Sequence, residues 1–253
     1  MTIRPFYCRI GSKKKLLNKI LPLIPEHKIY VEPFMGSSAV FWAKEPAEYT
    51  ILNDLDKSLV DDYKLILKTP TPSRPITRKF IKTRTFVNNF YNNLTNSPID
   101  KLIKRLMLRC NTFCSKTFNE NEKVILYNRG NPYSKINKLD EYKERLKGVK
   151  ILNQSYEKII KKYDSPDTFF YLDPPYENSE GLYTESQIDY EEMWRILDKV
   201  KGKWLLSIND SPRIRNTFKG YLYKKISVGG TNDGRNGIGN ANRNELLISN
   251  YEP

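Results

Sequence analysis

The chain has 253 residues, 39% hydrophobic and 12% aromatic, enough for one large domain or a core domain with an insertion, and too apolar for a disordered chain. No apolar run nears the ~20 residues of a membrane span, and no basic–apolar–small leader pattern is present, so a soluble protein of a reducing, cytoplasmic compartment is expected. Cys8, Cys110 and Cys114 with the single His27 make a poor zinc set, and no metal is expected.

The net charge is +14, and residues 68–147 carry 18 basic against six acidic side chains, so +12 of it lies in that one stretch. Charge from codon bias spreads along a chain. Charge that neutralises phosphates clusters, so a polyanion partner is expected, nucleic acid ahead of an acidic membrane surface.

In chain order, residues 16–24 read as a short amphipathic helix containing a proline. Residues 28–32 alternate like a strand, 33–38 form a turn, and a helix starts at Ala39 with Ser37 or Ser38 as N-cap. A second strand at 49–53 closes on Asp54, and 57–67 return to helical spacing. That order is the mark of a parallel α/β sheet. The rhythm then breaks. Thr69 to Ile99 holds no acidic residue but several prolines and an Asn-rich run at 88–96. Residues 99–109 look helical, and 119–138 are polar and turn-rich. This stretch reads as an inserted, mostly helical subdomain with irregular loops. Strands resume at 149–152, 168–172 and 203–208, with helices at 156–163 and 190–200 between and beyond them. The segments 221–228 and 245–250 read as an antiparallel pair around a Gly/Asn-rich loop.

Two places carry chemistry. The turn from Glu32 to Ser38 follows the first strand, and ligands of open α/β sheets sit at such strand ends. Asp54, about 20 residues on, suits the two hydroxyls of a ribose. The three-glycine pyrophosphate fingerprint is missing, which favours a nucleoside cofactor without phosphates, such as S-adenosylmethionine. The other place is Asp173-Pro174-Pro175-Tyr176, which ends an apolar strand. Proline cannot continue the ladder, so a carboxylate and the first proline's carbonyl are held side by side. Two adjacent acceptors suit an NH2 group, and the aromatic ring suits stacking on a base.

On these residues the chain resembles the D12 class of N6-adenine DNA methyltransferases, the Dam-like enzymes. Arg9-Ile10-Gly11-Ser12-Lys13 is similar to the family's GGK-type motif. Residues 30–41 are similar to its FxGxG-type cofactor loop, with Ser38 where a second glycine is usual. Leu52-Asn53-Asp54 resembles the ribose segment, Asp173–Tyr176 the catalytic motif, and 204–210 and 245–250 the later strands. The resemblance implies a Rossmann-like S-adenosylmethionine-dependent sheet from residues 1–67 and 151–253, with a target-recognition subdomain at 68–150. It implies methyl transfer to a flipped-out adenine, with Asp173, Pro174, Pro175 and Tyr176 catalytic. The cofactor set it implies is Arg9, Gly11, Lys13, Glu32, Phe34, Gly36, Ser37, Asp54, Ser155 and Asp173. Ser155 stands where the family often has an Asp against the cofactor's adenine. Arg9 and Lys13 could meet the cofactor or DNA, or be solvated charges. Arg78, Lys79, Lys82, Arg84, Arg105, Arg109 and Arg129 are expected at double-stranded DNA. A cognate restriction endonuclease is compatible with this reading, as is a monomer or weak dimer, or residence in the DNA-containing compartment of a host cell. RNA adenine or cytosine N4 as target, or a catalytically silent DNA-binding protein on the same fold, stay open as alternatives.

Overall fold

A strand covered on both faces must be apolar at every position. β4 (Thr168–Leu172) is buried at all five of its positions, and this marks it as the centre of the sheet. The computed structural model describes residues 3–8, 11–77, 80, 83–111, 131–177, 188–228 and 243–252. Beside β4 lie β1 (Ile29–Glu32), β2 (Tyr49–Asn53), β3 (Lys150–Leu152), β5 (Lys203–Asn209), β6 (Leu222–Val228) and β7 (Arg243–Ser249). Their order across the sheet is β3-β2-β1-β4-β5-β7-β6. β7 is antiparallel to both β5 and β6, as the sequence pattern suggested for the last pair, but it slots between them.

The chain runs outward from β1 through β2 to β3, then returns to place β4 on β1's other side, with Val31 opposite Phe170. The order therefore reverses between β1 and β4. At such a switch point the two strand-end loops diverge and leave a crevice for a ligand.

Two layers cover the sheet. On one face Tyr30, Leu52, Phe169, Tyr171 and Leu205 pack beneath α2 (Ala39–Ala43), α3 (Lys57–Lys68) and α7 (Leu139–Leu146). On the other, Val31, Phe170, Leu172, Trp204 and Leu206 pack beneath α8 (Tyr156–Tyr163), α9 (Tyr190–Leu197) and α10 (Pro212–Thr217). Burying each such large side chain contributes about 1.5–3 kcal/mol. The 16–24 segment is one α-turn, α1 (Leu17–Ile20), between two 3-10 turns, the second holding Pro22.

Within 68–150 the described elements are helical: α4 (Arg84–Asn92), α5 (Pro98–Asn111), α6 (Tyr133–Ile136) and α7. α4 crosses much of the Asn-rich run that reads as irregular. Thr83 caps it by accepting from the Phe86 N–H, Val87 is fully buried, and Phe86 and Phe90 stack at 6.2 Å, one turn apart. Packing on that face outweighs the weak helix propensity of asparagine. Packing also runs straight across residue 150. Tyr142 of α7 sets its ring edge-on to Trp42 at 5.2 Å, and Arg145 donates to the Phe41 and Lys44 carbonyls at 2.6 Å. α7 thus belongs to the sheet's covering layer, although it falls inside the 68–150 segment.

Candidate active site

The loop after β1 is built on a buried acid. Glu32 Oε1 accepts from the Tyr30 hydroxyl at 2.7 Å and from the Phe41 N–H at 2.9 Å, so it satisfies an otherwise orphan donor of α2. Glu32 is 1% exposed, and burial pushes its carboxyl up to about 7. The resemblance puts Glu32 at the cofactor. Its carboxylate instead lies under the loop, enclosed by protein donors, and shapes the loop from below. Gly36 and Ser38 take positive φ, 46° and 48°. Ser38 therefore adopts the left-handed backbone where the resemblance has a glycine.

The ends of β1, β2 and β3 are knotted together by short polar side chains. Asp54 Oδ2 accepts from the Gly36 N–H at 2.9 Å, and Oδ1 from the Asp56 N–H at 3.0 Å. Asn53, 1% exposed, donates to the Pro33 and Gln154 carbonyls and accepts from the Gln154 N–H. Asn153 donates to the Asp54 and Leu55 carbonyls, each at 2.8 Å. Phe34 and Tyr156 face each other at 5.2 Å with planes 33° apart. Ser155 is the N-cap residue of α8, but its hydroxyl does not cap the helix. Asn153 and Gln154 are not among the residues expected at the site, and Asn53 enters there only as part of the Leu52-Asn53-Asp54 segment, because amides at strand ends carry no chemistry of their own in the sequence.

Across the switch point stands the end of β4. Asp173 Oδ1 lies 2.6 Å from Lys13 Nζ, which also donates to the Gly11 carbonyl at 2.9 Å and sits 4.8 Å above the Tyr176 ring. Lys13 is 3% exposed, so the N-terminal motif is folded into the site. Ser12 and Ser37 join their hydroxyls at 2.9 Å and fix that motif to the cofactor loop. Burial raises the Asp173 carboxyl to about 6; Lys13 opposes this, and the charge of Glu245 adds to it. Pro174 is buried and Pro175 half-buried, with the Pro175 carbonyl taken by the Tyr190 hydroxyl at 2.7 Å. Among the described residues no donor meets the Pro174 carbonyl. The Tyr176 hydroxyl is 3.4 Å from Ser207 Oγ, and burial keeps that phenol neutral. Strand alternation puts Glu32, Asp173, Asn209 and Glu245 on one face of the sheet.

The basic set divides. Arg9, Arg78, Lys79, Lys82 and Arg129 lie outside the described residues, as does the side chain of Arg84 at the start of α4. Arg105 is half exposed, with Nε 3.3 Å from Asp62 Oδ1. Arg109 corrects the expectation of a DNA contact. It is 4% exposed, and its guanidinium holds Asp62 at 2.8 Å, Asp56 at 3.4 Å and Ser58 at 2.7 Å. Buried carboxylates need a paired cation, and Arg109 is that cation. Among the described residues no group of His, Cys, Asp and Glu is placed to hold a metal, and no helix is long and apolar enough to cross a membrane.

An α/β sheet reversing between β1 and β4, with acidic and aromatic groups around its switch point, is the architecture of an α/β protein that takes a ligand in the crevice there. More particularly, the chain belongs to the D12 class N6 adenine-specific DNA methyltransferase family, which matches residues 10–231. It is 26% identical to the type II methyltransferase M.MjaIII of Methanocaldococcus jannaschii over 90% of each chain. It is 27% identical to the type II methyltransferase M.CviBI of Paramecium bursaria Chlorella virus NC1A, over 98% of this chain and 100% of that one. With the DNA adenine methylase of Vibrio cholerae serotype O1 the identity is 23%, over 96% and 95%. The protein is an adenine-specific DNA methyltransferase, and S-adenosylmethionine is its methyl donor.

Proposed function

We propose that the crevice between the β1 and β4 ends is where the methyl group passes, to an adenine turned out of the duplex. The observation that carries this reading is the end of β4 at the switch point, where Lys13 holds the Asp173 carboxylate at 2.6 Å and lies 4.8 Å over the Tyr176 ring, and where the carbonyl of Pro174 meets no donor among the described residues. The donor set fits the cofactor. Asp54 offers a carboxylate to a ribose at the end of β2, and Gly36 brings backbone beside it without a side chain. Phe34 and Tyr156 form an apolar wall for a planar base. Acids and aromatics suit a sulfonium without phosphates. When bound, that group supplies an electrophilic methyl.

This chain's residues prepare the nucleophile. Adenine N6 is weak because its lone pair is delocalised into the ring. Asp173 Oδ2 and the Pro174 carbonyl would accept hydrogen bonds from its two N–H groups, which localises the lone pair and offsets the positive charge growing on nitrogen, and the proton that the methylated nitrogen sheds would leave along the hydrogen bond to Asp173. Tyr176 stacks on the base and stands in for the neighbouring bases of the duplex. Lys13 holds Asp173 by its other oxygen and keeps the carboxylate oriented and ionised. Proximity supplies much of the remaining acceleration.

The 68–150 segment, with α4 and α5, is proposed as the DNA-recognition part, and α7 as part of the catalytic layer. Two relatives are named type II methyltransferases, and by that likeness a cognate restriction endonuclease reading the same sequence is the proposed partner. Mapping methylated adenines in DNA exposed to the protein identifies the target. Asp173→Ala is then expected to lower turnover by at least ~100-fold while DNA binding persists. Near-normal turnover in that variant overturns the clamp. Substituting 2-aminopurine at the mapped position tests extrusion. Its fluorescence rises on binding if the base leaves the stack and stays flat if it does not.

A further inference from the structure

Arg109 sits on the last turn of α5, inside the basic segment, yet its fork is aimed inward at the first turns of α3. Nε holds Asp62 Oδ2 at 2.8 Å, Nη2 the Ser58 hydroxyl at 2.7 Å, and Nη1 reaches Asp56 Oδ2 at 3.4 Å. The path does not stop there. Asp56 caps α3 by accepting from the Leu59 N–H at 3.1 Å, and its own N–H donates to Asp54 Oδ1 at 3.0 Å. Asp54 Oδ2 accepts from the Gly36 N–H at 2.9 Å. One continuous run of polar contacts therefore leads from α5 to the cofactor loop.

The arrangement suits positioning. Asp56 stands between α3 and Asp54, and only a planar fork can meet Asp56, Ser58 and Asp62 at once. Arg105 also reaches Asp62, from one turn earlier on α5, at 3.3 Å. What Arg109 adds is the extension past Asp62 toward Asp56, and so toward Asp54. α3 is seated by Leu59, Val60, Tyr63 and Ile66, which are buried in the core it shares with α5 and α7. Arg109 adds a polar hold on the N-cap residue Asp56 that this packing does not supply.

We propose that Arg109 is a positioning residue for the cofactor. Through Asp56 it sets the direction in which Asp54 presents its carboxylate, so the seating of the recognition-segment helix governs cofactor affinity. This rests on the reading of Asp54 as the ribose acceptor.

The test is calorimetric titration of the full chain with S-adenosylhomocysteine, without DNA or turnover. Arg109→Gln is expected to weaken binding on the order of tenfold. KM for S-adenosylmethionine rises in parallel, and kcat at saturation holds within about threefold, as loss of binding common to ground and transition states requires. Arg109→Lys falls between, because it keeps the charge beside Asp62 and loses the fork. In the Asp54→Asn background, Arg109→Gln adds no further loss, since the path ends at Asp54. Wild-type affinity in Arg109→Gln, or a penalty that adds in full to that of Asp54→Asn, overturns the proposal and leaves the ribose reading intact. Wild-type affinity in Asp54→Asn overturns the ribose reading, and the proposal with it. Circular dichroism reports folding. If Arg109→Gln does not fold, Asp56→Asn, which keeps the Arg109–Asp62 pair, replaces it in the same cycle with the same expected results.

Discussion

Lys13 and Asp173 stand 160 residues apart in sequence and 2.6 Å apart in space, and their ion pair closes the N-terminal motif onto the catalytic strand end. Burial, with the charge of Glu245, drives the Asp173 carboxyl upward, and Lys13 limits the rise to about 6. Substituting Lys13→Met removes the limit. Methyl transfer needs the ionised acceptor, so the acid limb of the kcat/KM profile moves to higher pH. Lys13→Arg retains the charge and keeps the limb near its original place. An acid limb unmoved in Lys13→Met would show that Asp173 does not govern the rate through its ionisation.

Glu32 gives a pH-dependent stability. Its folded value of about 7 lies above the model-peptide value of 4.5, so the folded state holds the proton more tightly between those pH values. Stability from this group is greatest below the lower value and falls as pH rises through the window. Above it the buried charge costs ~3 kcal/mol. Glu32→Gln keeps an acceptor for Phe41 and Tyr30 but carries no charge. The difference in Tm between variant and wild type is expected to move in the variant's favour by roughly 5 °C or more from pH 5 to pH 8. A gap independent of pH would count against a charged Glu32 at neutral pH.

Ser38 tests the backbone of the cofactor loop. A non-glycine residue in the left-handed region costs roughly 1–2 kcal/mol. The Ser38 hydroxyl offsets part of this with a 3.2 Å bond to the Met35 carbonyl. Ser38→Ala keeps the strain and loses the bond, while Ser38→Gly loses the bond and the strain together. Unfolding free energies from urea titration are expected to place the glycine variant above the alanine variant by about 1 kcal/mol. The reverse order would mean that the loop does not hold φ near 48° in solution.

These cases show what a sequence can and cannot carry. The end of β4 before Asp173-Pro174-Pro175-Tyr176 is legible because proline cannot continue the ladder whatever the surroundings. The order of strands and helices is legible because burial on two faces imposes periodicity. Ser38 stands out in the sequence as a departure from a glycine, and its φ explains why a glycine is usual there. Arg109 is misplaced by sequence reasoning because nothing local separates an arginine that meets phosphate from one buried against aspartates. The decision lies with Asp56 and Asp62, about 50 residues away. α4 escapes the sequence pattern for a similar reason, since its asparagines disfavour a helix that the Phe86–Phe90 face stabilises through packing. The Asn53–Gln154 bridge joins strand ends that only the β2–β3 pairing brings together.

The basic stretch yields the last prediction. Arg109 is committed inside the protein, so it contributes no counterion release at DNA. Arg78, Lys79, Lys82 and Arg84 lie in the run from Thr69 to Ile99 that has no acidic residue to neutralise them. Each side chain that meets a phosphate steepens the slope of log affinity against log salt by about 0.9. Replacing all four with glutamine is therefore expected to weaken DNA binding at low salt and to flatten the slope by up to about 3.6. Filter binding from about 50 to 200 mM salt measures it. Arg109→Lys serves as the internal contrast, because it changes a basic residue of the same segment and should leave the slope where it was. A slope unchanged in the fourfold variant would place the phosphate contacts elsewhere in the 68–150 segment, and a slope that falls in Arg109→Lys would put Arg109 back at the DNA.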